Sequence, residues 1–130
     1  MIVVDASVLA PALGDDGRDG ATARARLAGE VLAAPDIVDL EVLSVLRRQK
    51  AQGLLDDRRA SRAVRNLIDL PMRRATHRLL LPRCWELRET VASYDASYVA
   101  LAETLGLVLV TADARLARAP GIRCDVDLLH

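Results

Sequence analysis

Short apolar runs alternate with longer helical patterns along the 130 residues of the chain, and this alternation restricts the possible folds more than any other feature. Parallel strands must be joined by crossover connections, which are usually helices, so the alternation predicts a parallel sheet with helices on both faces. We therefore expect an α/β fold, a three-layer α/β/α sandwich around a central parallel sheet. The chain length fits a single domain over residues 1–130.

Apolar periodicity and turn-forming residues place the individual elements. Strands are predicted in five segments: 2–4, 31–34, within 73–77, 107–110 and 122–126. Helices are predicted in seven segments: 7–14, 21–29, 36–52, 56–70, 81–92, 95–105 and 114–118. The segment GDDGRDG at 14–20 is polar and rich in glycine, so we expect it to be a loop.

Composition restricts the class of protein. No apolar run reaches the about 18 residues that a membrane span needs, and no basic stretch precedes the first apolar run, as a signal peptide would require. The two cysteines, Cys84 and Cys124, form no CxxC pair and have no histidine pair nearby. They therefore predict free thiols and a cytoplasmic location.

The formal net charge is zero, yet Lys50 is the only lysine among 18 basic residues. Two interpretations of this arginine excess stay open. One is the compositional bias of a GC-rich genome. The other is phosphate recognition, because a guanidinium group can bind a phosphate with two parallel hydrogen bonds.

Acidic residues follow two of the predicted strands. Asp5 comes directly after the run IVV, and Asp113 comes three residues after the strand that ends at Val110. The carboxyl ends of parallel strands border the usual ligand crevice of such sheets, so both acids are expected there. Asp95 is predicted to begin a helix. Since Asp is a good helix N-cap, capping alone would explain any one of these three residues.

Glu41 does not fit the capping explanation, because it lies in the middle of a predicted helix. Its neighbours on the helix surface are apolar or small, so a lone carboxylate there would be costly unless it were paired or bound to a cation. An ion pair with Arg48 is one alternative. The other places Glu41 in one pocket with Asp5, Asp95 and Asp113. Grouped carboxylates repel one another unless a cation such as Mg²⁺ or Mn²⁺ joins them, and acids with such an ion suit phosphoryl transfer.

Four short motifs, spread through the chain in a fixed order, carry a family resemblance. They are VVDAS at 3–7, LEVLSVLRR at 40–48, YDASYVALAE at 94–103 and TADARL at 111–116. With these motifs the chain resembles the PIN-domain ribonucleases of the VapC toxin type, and the resemblance covers essentially all of it. It implies an α/β/α sandwich and the cleavage of RNA with Mg²⁺, or with Mn²⁺ in its place.

The resemblance also assigns roles and partners. It implies catalytic roles for Asp5, Glu41, Asp95 and Asp113, with Asp5, Asp95 and Asp113 as metal ligands and Glu41 orienting water or assisting proton transfer. Ser7 and Thr111 match small hydroxyl positions beside the acids. The implied partners are an RNA substrate, a small VapB-type antitoxin protein and a second copy of the chain in a homodimer. The implied role is that of a toxin that inhibits translation and growth until its antitoxin neutralises it.

Two other classes of function fit parts of the pattern. A phosphatase with an aspartyl-phosphate intermediate, or a signalling receiver domain, also uses an Asp after the first strand. The phosphatase needs a second Asp where this chain has Ser7, and both need a late lysine, whereas Lys50 is the only one. A PIN fold kept as a catalytically weak RNA- or protein-binding module is the other alternative; the presence of all four acids argues against it.

Two further residues have predicted positions. Trp85, the only tryptophan, is expected in the core or at a subunit contact, and stacking against a base of the RNA is a further alternative. His77 is expected at a strand end or on the surface.

Overall fold

A computed structural model describes residues 1–130. The sheet is formed by five short strands: β1 (Ile2–Val4), β2 (Leu32–Pro35), β3 (Arg73–Ala75), β4 (Leu109–Thr111) and β5 (Val126–Leu128). The helices are α1 (Ala6–Gly14), α2 (Arg18–Leu27), α3 (Ile37–Ala51), α4 (Asp57–Asp69), α5 (Leu81–Glu86), α6 (Ser93–Leu105) and α7 (Ala114–Ala117). A single 3₁₀ turn (Arg78–Leu80) leads into α5. No helix is both long and apolar enough to cross a bilayer.

All strand pairs are parallel, and the strand order is β3-β2-β1-β4-β5. Helices cover both sides of the sheet. The predicted fold class is therefore confirmed. It follows from the pattern of short apolar runs, because strands buried on both faces need apolar side chains on both sides.

The order of the strands reverses beside β1. The chain passes from β1 to β2 and β3 on one side, and β4 then lies on the opposite side of β1. This topological switch point opens a crevice at the carboxyl ends of β1 and β4. The backbone N–H of Asp5 donates to the carbonyl of Val110 at 2.9 Å, which continues the pairing of β1 with β4 into the crevice.

Helix α6 is the most deeply buried helix around this crevice. The seven consecutive residues 96–102 are buried, because α6 packs against β1, β2 and β4. This packing fixes the rotation of α6 about its own axis and its position relative to the sheet. The polar side chains that α6 carries are thereby held in place.

Two strand predictions differ from the structure at their ends and one is wrong. The second and fourth strands are each shifted towards the C-terminus, to Leu32–Pro35 and Leu109–Thr111. The last strand was expected at 122–126 but is Val126–Leu128. Its position is set by pairing with β4, and upstream the backbone N–H of Arg123 donates to Glu103 Oε2 at 2.8 Å rather than to a strand.

The predicted loop at 14–20 is too long, since α2 begins at Arg18. Gly20 lies inside α2, where a Cβ would come within 1.8 Å of the carbonyl oxygen of Asp15. The glycine therefore allows a close backbone approach and does not form a turn. The helix predicted at 81–92 ends at Glu86, and beyond it the hydroxyl of Thr90 donates to the carbonyl of Pro120 at 2.9 Å.

His77 connects the end of β3 with the start of α3. Its Nε2 accepts a hydrogen bond from the backbone N–H of Ile37 at 3.0 Å. That N–H belongs to the first turn of α3, where backbone donors lack partners within the helix. The contact fixes the entry of α3, the helix that carries Glu41.

Candidate active site at the switch point

Asp5 occupies the centre of the crevice and is only 5% exposed. Its backbone adopts the N-cap conformation before α1, but its carboxylate makes no cap hydrogen bond. The Oδ2 atom instead accepts hydrogen bonds from the hydroxyls of Ser7, at 2.6 Å, and Thr111, at 2.8 Å. The Oδ1 atom accepts none from the protein. A side-chain cap therefore does not explain Asp5, and one of its oxygens is free for another partner.

The loop after β4 is tied to the same carboxylate. The buried hydroxyl of Thr111 accepts a hydrogen bond from the backbone N–H of Asp113 at 3.1 Å. The hydroxyl of Ser7 accepts one from the N–H of Ala112 at 2.9 Å. The two hydroxyl residues thus act as donors to Asp5 and as acceptors from the loop that carries Asp113.

Asp113 confirms the capping prediction. Its Oδ1 accepts hydrogen bonds from the backbone N–H groups of Arg115, at 2.9 Å, and Leu116, at 3.4 Å, and it is the N-cap of α7. Its Oδ2 has no protein partner. Capping and a role in the crevice are therefore compatible, because each uses a different oxygen.

Asp95 does not begin its helix, so that prediction is wrong. Helix α6 begins at Ser93, and Asp95 lies in its first turn, because the carbonyl of Ala92 already accepts the N–H of Ala96 at 2.8 Å. The carboxylate of Asp95 takes part in no hydrogen bond and no ion pair. Burial raises the pKa of Asp95, the charges of Asp5 and Asp113 raise it further, and the charge of Arg115 acts in the opposite direction.

Glu41 reaches the crevice from the middle of α3. Its Oε1 accepts a hydrogen bond from the hydroxyl of Tyr98 at 2.6 Å, and no ion pair with Arg48 forms. Burial raises the pKa of Glu41; the hydrogen bond from Tyr98 opposes this rise, and the charges of Asp5 and Asp95 add to it. The predicted structural ion pair is thus absent, and a tyrosine takes the place of the expected cation.

Tyr98 is the site residue that the sequence analysis missed. Its side chain is fully buried, and burial together with the neighbouring Glu41 raises its pKa well above the usual range, so the phenol stays a donor. A signal was present in the sequence. Tyr98 follows Asp95 by one helical turn in an otherwise aliphatic segment, and a buried tyrosine hydroxyl needs a polar partner.

The structure brings the four predicted acids to one end of the sheet. Asp5 is close enough to raise the pKa of both Glu41 and Asp95, and Asp113 is close enough to raise that of Asp95. A cleft of about 210 Å³ is lined in part by Asp95, Asp113 and Arg115. No three acidic, histidine or cysteine side chains form a ready-made cage for a metal ion.

The donor set nonetheless fits a hard divalent cation. All the available ligands are carboxylate oxygens, which Mg²⁺ and Mn²⁺ prefer, whereas zinc or copper sites would use histidine or cysteine. Oxygens with no competing protein partner include Oδ1 of Asp5, Oδ2 of Asp113 and both carboxylate oxygens of Asp95. Burial raises the pKa values of Glu41 and Asp95, and repulsion among the acids raises them further; a bound cation would relieve this repulsion.

Comparison with known proteins identifies the family. The PIN domain family model matches residues 2–122. Ribonuclease VapC9 of Mycobacterium tuberculosis is 41% identical over 129 residues, which cover 99% of this chain and 98% of the relative. The chain belongs to the PIN-domain family of VapC ribonucleases.

Two further relatives agree with this assignment. Ribonuclease VapC12 of M. tuberculosis is 37% identical over 129 residues, which cover 99% of each chain. The crystal structure of M. tuberculosis VapC20, a toxin that cleaves the sarcin-ricin loop, superposes with a TM-score of 0.73 at 20% identity, covering 95% of this chain and 97% of that one. At that identity the superposition supports the fold, and the VapC family assignment rests on the sequence matches.

The raised pKa of Asp95 predicts how Asp95→Asn changes stability. A carboxyl group whose pKa is higher in the folded protein stabilises the fold when protonated, and this contribution is lost as the pH rises through the folded pKa. Asp95→Asn has no charge to bury, so with EDTA present it should melt at a higher temperature than wild type at pH 7. The difference should shrink as the pH falls towards the unfolded value of about 3.9.

Differential scanning calorimetry across this pH range measures the effect. Asp125→Asn is the matched control, because Asp125 is exposed and its side chain has no hydrogen bond or ion pair. It should change the melting temperature at pH 7 by much less than Asp95→Asn does. A lower melting temperature for Asp95→Asn at pH 7 would contradict the electrostatic account of the crevice.

Proposed function

We propose that this protein is a metal-dependent endoribonuclease that acts as the toxin of a toxin–antitoxin pair. It cleaves RNA and so inhibits translation and growth until its antitoxin neutralises it. The observation that carries the proposal is the grouping of Asp5, Glu41, Asp95 and Asp113 at the switch point, in a chain matched over nearly its full length by VapC ribonucleases. An RNA phosphodiester is the substrate class that this chemistry serves.

Asp5, Asp95 and Asp113 would hold Mg²⁺, or Mn²⁺ in its place. When bound, such an ion offsets the charge that builds on the phosphate oxygens and activates water. The protein contributes orientation. Ser7 and Thr111 hold Oδ2 of Asp5, which leaves Oδ1 free to bind a cation, and the cap at Asp113 engages one oxygen and leaves the other free.

Glu41 is suited to proton transfer. Its Oε1 is occupied by the hydroxyl of Tyr98, and Oε2 has no protein partner. A carboxyl group with a pKa raised towards the working pH accepts a proton from an attacking water more readily than an ordinary glutamate does. We assign Oε2 the role of orienting that water and accepting its proton.

The proposed protein partner is a VapB-type antitoxin. A crevice of unpaired carboxylates is a natural target for an arginine side chain, which would compete with both cation and substrate. Binding of an antitoxin segment that places such an arginine in the crevice would therefore stop cleavage without changing the fold of the toxin.

A homodimer is the second proposed assembly. Trp85 was expected in the core or at a subunit contact; the core alternative is wrong, since the residue is 67% exposed. It borders an apolar cleft of about 360 Å³ together with Leu81 and Ile37. Exposed apolar clusters of this kind are typical of interaction surfaces, and we assign this one to contact with a second copy of the chain.

Asp5→Asn should abolish RNA cleavage while the protein stays folded. The amide keeps a carbonyl oxygen for the two hydroxyl donors but lacks the charge that a cation needs, so we expect a loss of at least about 100-fold in rate. Cleavage of total bacterial RNA, with cut sites mapped by sequencing of 5′ ends, measures the effect. Wild type should also lose activity in EDTA and regain it with Mg²⁺ or Mn²⁺.

Asp125→Asn is again the control and should cleave like wild type. Equal cleavage by wild type and Asp5→Asn, or full activity in EDTA, would refute the metal-dependent mechanism. RNA binding by wild type without any cleavage would instead support the alternative of a binding module.

The dimer proposal predicts an effect of Trp85→Ala. Large aromatic side chains at the centre of an interface often contribute about 2 kcal/mol or more, so the dissociation constant should rise about 30-fold. Sedimentation equilibrium over a range of concentrations measures this. Leu54→Ala is the control, because Leu54 is 69% exposed and lies outside the apolar cleft. A monomeric wild type, or an equal effect of both substitutions, would contradict the proposed contact.

A further inference from the structure

A single hydrogen bond connects the two long helices that border the crevice. The hydroxyl of Tyr98 on α6 donates to Oε1 of Glu41 on α3 at 2.6 Å, across 57 positions of sequence. The phenol ring is fully buried against the core. Because burial fixes the ring, the position of its hydroxyl is determined by the packing of α6 against the sheet.

Glu41 needs such a contact if it is to point into the crevice. Its side chain has three rotatable bonds, and within the crevice it faces the charges of Asp5 and Asp95. Both carboxylates repel it, and no basic side chain pairs with it. Without a donor, rotation away from these charges and towards solvent would be favoured. The hydroxyl of Tyr98 is the only side-chain donor to Glu41 in the structure.

We propose that Tyr98 is a positioning residue that holds Glu41 in its working orientation through this hydrogen bond. This role rests on the proposed ribonuclease function. The hydrogen bond fixes Oε1 and leaves Oε2 without a protein partner, so that Oε2 is available to the attacking water. Tyr98 therefore acts through Glu41 and need not touch substrate or cation.

Tyr98→Phe tests this role with little disturbance, because it removes one oxygen and keeps the buried ring. We expect kcat to fall about 10- to 100-fold, the range typical of residues that orient a ligand or catalytic group. KM should change less than about 2-fold, since all four acids are unchanged. Tyr94→Phe is the matched control. Tyr94 is the other tyrosine, lies one turn earlier on α6, is 66% exposed and makes no side-chain hydrogen bond.

A double-mutant cycle separates positioning from a structural effect. The substrate is an end-labelled RNA fragment that carries a cut site mapped for wild type, used with enzyme in excess. If Tyr98 acts through Glu41, then Tyr98→Phe should change the rate less than about 2-fold in a Glu41→Gln background. A structural defect would lower the rate by the same factor in both backgrounds.

Proton NMR of the metal-free protein provides a readout that does not depend on activity. A short hydrogen bond between a phenol and a carboxylate should give a slowly exchanging, strongly deshielded hydroxyl proton. This resonance should be absent in Tyr98→Phe, shifted upfield in Glu41→Gln and unchanged in Tyr94→Phe.

The outcomes distinguish the two proposals. The positioning role is wrong, and the ribonuclease function stands, if wild type cleaves RNA and Tyr98→Phe has the same kcat. The same conclusion follows if Tyr98→Phe lowers the cleavage rate by the same factor in the wild-type and Glu41→Gln backgrounds. If wild type cleaves no RNA with Mg²⁺ or Mn²⁺, the proposed function is wrong, and the positioning role fails with it even where the NMR resonance is present.

Discussion

The site depends on the hydrogen bonds that fix the carboxylate of Asp5 where β1 and β4 end. Ser7 and Thr111 both donate to Oδ2, and the same two hydroxyls accept from the backbone of the loop after β4. A carboxylate with this little exposure must have such partners, since an unsatisfied buried charge would be costly. By fixing Asp5, this network also fixes the loop that presents Asp113, and so connects two of the four acids through backbone and side chain together.

The remaining two acids, Glu41 and Asp95, lie on helices α3 and α6. Their arrangement is electrostatically unfavourable in the absence of a bound cation. Asp95 has no partner, and its pKa is raised by burial and by two neighbouring charges. The only side-chain partner of Glu41 is the neutral hydroxyl of Tyr98. The pKa of Glu41 is raised by burial and by the charges of Asp5 and Asp95. Structural acids are normally paired or solvated. An arrangement that keeps them close with no ion pair to a basic side chain is better explained by a function that brings its own cation.

The sequence predicted the fold well where the determinants are local. The run IVV before Asp5 is short, apolar and bounded, so its strand is unambiguous. The last strand was misplaced because residues 122–124 and 126–128 both alternate apolar and polar side chains, and only pairing with β4 decides between them. Gly20 was read as a turn residue because the polar, glycine-rich segment is typical of a loop, and its close approach to the backbone of Asp15 is visible only in the structure.

The candidate site could also be predicted only where its determinants are local. The motifs identify the four acids, since each acid lies at a strand end, in a first turn or at an exceptional helix position. Which oxygen of Asp5 stays free depends on contacts between Asp5 and Thr111, 106 positions apart. The pairing of Glu41 with Tyr98 depends on how α3 and α6 each pack against the sheet, which no local pattern encodes.

The most direct test of the metal site is a crystal structure of the protein soaked in Mn²⁺, with anomalous scattering used to locate the ion. The account predicts an anomalous peak at the switch point, within about 2.0–2.6 Å of Oδ1 of Asp5 and of a carboxylate oxygen of Asp95. A fully occupied Mn²⁺ site elsewhere in crystals of a protein that cleaves RNA, with no peak beside Asp5, would contradict it.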